Sequence, residues 1–155
     1  MTPDASKTAK ARITHRANAP AGAVWDVLSD GWLYASWVVG ASRIRDVDRA
    51  WPDVGSRIHH SVGLWPALVN DETLVIESVP ERRLVLQAKG WPFGEALVDL
   101  QIEQAGEYAC DVSIVEDTVK GPVVLVPLVV RQPLIAVRNR EALKRLTLIA
   151  EGRRR

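Results

Sequence analysis

Two hydrophobic periods divide this chain, and they meet at Gly121-Pro122. After that point an almost unbroken apolar run extends from Val123 to Val137, interrupted by Arg131 and Gln132. From Arg138 the pattern turns amphipathic. Ala142, Leu143, Leu146, Ile149 and Ala150 recur at three- and four-residue spacing, with Arg140, Glu141, Lys144, Arg145 and Glu151 between them. The spacing predicts one long helix over 122–152, apolar nearly all round in its first half and two-faced in its second. Pro127 fits a first turn, whereas Pro133, further in, is expected to kink the helix or delay its start.

Before Gly121 the period is mostly two. Residues 10–17 alternate and read as a first strand. Pro20 opens a helix whose apolar face is Val24, Val27 and Leu28, and Ser29-Asp30-Gly31 ends it. A second short helix or turn covers 32–37. Six strands follow, over 42–49, 56–64, 68–79, 83–89, 94–104 and 108–119, punctuated by Pro-, Gly- and Asp-rich turns. Their inward face reads as Ile58, Val62 and Leu64; Leu74 and Ile76; Leu84 and Leu86; Val98, Leu100 and Ile102; Val112 and Ile114. Short connections favour an antiparallel meander with one dry face, and the long helix must lie on it.

Composition narrows the function classes. The 155 residues, 47% hydrophobic and 25% charged with a net charge of +1, suit one soluble domain over 9–152 between a short tail (1–8) and a basic end (153–155). No basic stripe supports nucleic-acid binding, and no apolar run is long enough for stable membrane insertion. The lone Cys110 excludes an internal disulfide and multi-cysteine metal motifs; with a polar N-terminus, the expected compartment is the cytoplasm. His59 and His60 are adjacent on a strand and face opposite sides, so no metal site is expected, nor any cofactor.

Topology places the turns. In a meander, alternate turns share an end, so Trp65-Pro66 and Trp91-Pro92-Phe93 lie together with the start of the long helix, and Trp51-Pro52 lies at the far end. That gathering is either a plugged core or the mouth of an apolar pocket; tryptophans at turn tips favour the mouth. Inside, strand parity turns His60 and Glu116 inward, and Gln132 and Asn139 share the helix face of Leu128, Ile135, Ala142 and Leu146. Such a cluster can orient a ligand carbonyl or hydroxyl, and His60 with Glu116 is a candidate acid–base pair. A satisfied core histidine is the plainer alternative.

Several segments carry a likeness to known proteins. Ala19-Pro20 leads into Val24-Trp25-Asp26-Val27-Leu28-Ser29-Asp30, Trp37 follows, and Val54-Gly55-Ser56 starts a strand. Glu77-Ser78-Val79-Pro80-Glu81-Arg82-Arg83-Leu84 spans a strand–turn–strand, and 140–148 lies in a closing helix. Over nearly its whole length the chain resembles the START-like (SRPBCC) helix-grip superfamily, in its polyketide cyclase/dehydrase-like branch. The resemblance implies an α+β fold in which about seven curved antiparallel strands grip the C-terminal helix. It implies either an intracellular carrier for a small apolar ligand, lipid-like or polyketide-like, or a cyclase/aromatase that moves protons in its pocket. An interaction domain of related fold, with an open groove, is a third alternative. The candidate ligand-binding residues are Trp37, His60, Leu64, Trp65, Trp91, Phe93, Val98, Ile114, Glu116, Leu128, Gln132 and Ile135; no catalytic residue is assigned.

Overall fold

The computed structural model describes residues 10–63, 65–90 and 94–153. Leu64, Trp91 and Phe93, three of the candidate lining residues, lie outside them. Strand β1 (Arg12–Ala17) leads to helices α1 (Ala21–Ser29) and α2 (Tyr34–Trp37), joined by a 3-10 turn over Gly31–Leu33. The sheet continues with β2 (Ala41–Val47), β3 (Arg57–Val62), β4 (Val69–Val79), β5 (Arg83–Gly90), β6 (Gly94–Gln104) and β7 (Cys110–Lys120), and α3 (Leu128–Gly152) closes the chain. All seven strands pair antiparallel in the order β1-β7-β6-β5-β4-β3-β2, so a meander from β2 to β7 is completed by the first strand.

Local chemistry sets the joints. Extended Pro20 precedes α1, and the first free N–H of that helix, on Ala21, donates to Gln104 Oε1 at 2.7 Å. Asp30 ends α1 and accepts from Trp32 N at 3.2 Å, which caps the 3-10 turn. Gly94 sits at φ 127° with the Lys120 carbonyl where a Cβ would have to go, so only glycine lets β6 begin this close to the end of β7.

Two expectations are corrected. The helix does not start at 122: Pro122–Leu125 forms a separate 3-10 turn and α3 begins at Leu128. The cause is Pro127, which disfavours helical backbone in the residue before it; Val126 is extended at φ −74°, ψ 126°. Pro133 is carried inside the helix that follows. The second correction concerns β4, where Thr73 and Val75 are buried while Ile76 is exposed and Leu74 only half-buried. Thr73 pairs with Ile58 and Val75 with Leu86, and opposed residues share a face, so the inward parity of β3 and β5 turns Thr73 and Val75 inward. A bulge between Val75 and Glu77 leaves Ile76 unpaired with β5.

The packed core occupies one end of the grip. Val24, Val27 and Leu28 of α1 meet Leu143, Leu146 and Ala150 of α3 over Ala17, Cys110 and Val112. Each fully buried leucine or valine there contributes roughly 1.5–3 kcal/mol. No helix among the described residues is long and apolar enough to cross a membrane.

Candidate functional site

Towards the other end the helix and sheet diverge around a cavity of ≈ 680 Å³, a size suited to a small organic molecule. Inward side chains of the strands form its floor, among them His60, Val62, Leu86, Val98, Ile114 and Glu116. Tyr34 and Trp37 of α2 close one side. The roof is a stripe of α3 at helical spacing: Arg131, Leu134, Ile135, Arg138, Asn139 and Ala142. Gly63 and Ala67 from the β3–β4 turn meet Gly94 and Val123 at the end where the sheet's turns gather.

Six of the candidate residues therefore come together around one space: Trp37, His60, Val98, Ile114, Glu116 and Ile135. Three described ones do not line it. Gln132 falls just off the roof stripe, and Leu128 is on the stripe but one turn beyond its end. Trp65 stands 85% exposed in the turn between Gly63 and Ala67.

The polar groups inside are few and specifically arranged. His60 is 2% exposed, and its Nε2 lies 2.9 Å from Thr73 Oγ1. Thr73 Oγ1 lies 3.0 Å from the Tyr34 hydroxyl, and the Tyr34 and His60 rings are 5.4 Å apart. Burial lowers the His60 pKa, countered in part by Asp71, and pushes the Tyr34 hydroxyl up to about 12. At neutral pH the row is uncharged: imidazole, hydroxyl, phenol. An imidazole with one N–H and one lone pair can run such a row in either direction. If Nε2 donates, Nδ1 is the acceptor; if Nε2 accepts, Nδ1 carries the proton. His60 Nδ1 has no partner, and neither has the amide nitrogen of Asn139, a residue 3% exposed on the roof.

Glu116 is buried on β7 and accepts from Arg138 Nη2 of α3. The expected acid–base pair is thus divided: His60 is engaged with Thr73, and Glu116 with a cation. Sequence parity found His60 and Glu116 but not their partners. The reading of Leu74 and Ile76 as inward hid Thr73, Tyr34 sits in a helix too short to show a face, and the Glu116–Arg138 contact joins strand to helix. Arg131 donates to the Val123 carbonyl at 3.1 Å and has no acid partner among the described residues. Cys110 is fully buried with its pKa raised to about 11 by desolvation, a core thiol rather than a nucleophile. Among the described residues, no group of three or more His, Cys, Asp or Glu side chains could hold a metal ion.

No protein-family model matches the chain, and no curated protein matches its sequence. Solved structures do match its shape. A START superfamily protein from Mycobacterium smegmatis superposes with TM-score 0.62 at 18% identity, over 92% of this chain and 94% of its own. The Zhui aromatase/cyclase from Streptomyces sp. R1128 gives 0.69 at 16%, over 94% of each chain. CalU16 from Micromonospora echinospora gives 0.61 at 17%, over 90% of this chain and 74% of its own. The chain shares the helix-grip fold of these proteins. At such identities the likeness is one of fold, and function has to be read from the cavity.

Proposed function

We propose that this chain is an intracellular binding protein for a small, mostly apolar molecule held between its sheet and α3. One observation carries the reading: an apolar-walled cavity of ≈ 680 Å³ in which two buried polar atoms, His60 Nδ1 and Asn139 Nδ2, lack partners, as does Nε of the roof residue Arg131. A buried unpaired polar atom costs about 1–3 kcal/mol. A ligand carrying hydroxyl or carbonyl oxygens at those two places recovers that loss, so the reading favours an oxygenated apolar molecule over a plain hydrocarbon. A lipid-like or polyketide-like compound meets this description, and the START and aromatase/cyclase neighbours are consistent with it.

A second reading, a cyclase/aromatase-type enzyme, is favoured by the His60–Thr73–Tyr34 row, which can pass a proton between its two ends. Native mass spectrometry of protein purified from its own host, followed by titration of the released compound, separates the two. A carrier retains an unaltered molecule, and His60→Leu weakens its affinity by about tenfold, the loss of one buried hydrogen bond. An enzyme converts a linear poly-carbonyl precursor, and His60→Leu abolishes turnover. Protein that co-purifies with nothing and binds no oxygenated apolar compound defeats both.

A further inference from the structure

The outer side of the first half of α3, with the 3-10 turn before it, is as apolar as its inner side. Leu125 is 86% exposed and Val129 82%, and Val130, Leu134 and Val137 repeat along the same face. Leu134 also lines the cavity, so the exposed face and the cavity wall are continuous. Trp65 belongs to the same end, because the turn that bears it contributes Gly63 and Ala67 to the cavity beside Val123. Large exposed apolar side chains gathered in this way mark a surface that something covers.

Charge indicates what covers it. Between Asp117 and Glu141 the sequence has no acid and four cations: Lys120, Arg131, Arg138 and Arg140. Arg138 is engaged by Glu116, whereas Arg131 and Arg140 have no acid partner among the described residues, and Lys120 is 3.9 Å from Glu95 with its side chain 73% exposed. A second copy packed through this face about a two-fold axis would set the same cations against one another. An anionic surface complements them. An exposed tryptophan with aliphatic side chains and the exposed cations Lys120 and Arg140 is the composition of a segment that lies at a lipid–water interface.

We propose that this face docks the protein on anionic lipid bilayers, with the cavity mouth against the membrane. Docking stands apart from the ligand reading, since it requires the face and not an occupied cavity. Co-sedimentation of the full chain with phosphatidylcholine vesicles, and with vesicles of equal parts phosphatidylcholine and phosphatidylglycerol, tests it. The wild-type chain is expected to partition preferentially onto the anionic vesicles, with a blue shift in emission that Trp65→Phe removes. Leu125→Asp with Val129→Asp changes only well-exposed positions and leaves thermal unfolding in place; it should lower partitioning at least tenfold. Lys120→Gln and Arg140→Gln, which leave the apolar face intact, should each cost about fivefold. No preference for anionic vesicles, or undiminished binding by the double aspartate variant, overturns the proposal. So does a concentration-dependent dimer that the same double variant disperses, since the face then belongs to a second copy.

Discussion

The two ends of the sheet use tryptophan in opposite ways. At one end Trp51 is 9% exposed, and its indole N–H donates to the Leu28 carbonyl at 3.0 Å. At the other, Trp65 projects from its turn into solvent. The halves of α3 repeat the contrast: Leu143, Leu146 and Ala150 are fully buried, whereas Val129, Val130 and Leu134 before them are exposed, as is Leu125 in the turn that precedes the helix. Residue type alone does not separate these roles. What differs is what lies beneath: α1 and β1 fill the space under the second half of the helix, and the cavity lies under the first. Stability is concentrated where the layers meet, and the end that can open is left weakly held.

The largest test of that contrast is truncation. Leu146→Ala should cost about 2–5 kcal/mol, whereas Leu125→Ala should change stability by no more than about 0.5 kcal/mol. The tryptophans should follow with smaller numbers. Trp51→Phe removes the bond to Leu28 and costs roughly 1–3 kcal/mol, and Trp65→Phe again falls within about 0.5 kcal/mol. Urea unfolding of the four variants measures this. Equal costs at the two ends would mean that the first half of α3 is packed against something in solution.

A second test concerns the cavity floor. His60 has a lowered pKa in the folded protein, chiefly through burial. Between that value and the ordinary one near 6.5, the unfolded chain binds the proton that the folded chain refuses. Stability is therefore fully present above about pH 6.5 and falls as the pH drops towards the folded-state value. The slope from this one group is at most about 1.4 kcal/mol per pH unit. His60→Gln keeps a polar group near Thr73 without titrating, and the difference between the two stability–pH curves should show that slope. Parallel curves would mean that water already reaches the imidazole.

Much of this arrangement was legible in the sequence, because period-two alternation fixes which strand residues face inward. His60, Val98, Ile114 and Glu116 were identified that way, and the number and direction of strands placed Trp51 and Trp65 at opposite ends. The method failed where hydrophobicity and register disagree. Leu74 and Ile76 are more apolar than Thr73, yet the pairing of Thr73 with Ile58 puts the threonine inside. It failed again at 122–127, where apolar composition continues a helix that Pro127 divides from the turn before it. The Tyr34–Thr73–His60 row joins α2, β4 and β3, and no local pattern announces a contact of that span.

The smallest expected effect is the most direct probe of the helix itself. Residues 130–137 have few buried contacts, so their amides should exchange with solvent through local opening at a lower free energy than those of 140–150, which open only with the core. Pro133 sharpens the difference, since it has no N–H to bond the carbonyl four residues earlier. Pro133→Ala restores that donor at an exposed position. A proline in a helix interior is about 3 kcal/mol less favourable than alanine when the helix must form for the protein to fold. Here the first turns are not packed into the core, so little of that gain should reach global stability. The expected outcome is slower exchange over 130–137 with the urea midpoint nearly unchanged. A rise in global stability approaching 3 kcal/mol would show instead that both halves of α3 fold as one unit with the core, and the contrast between the two ends would be lost.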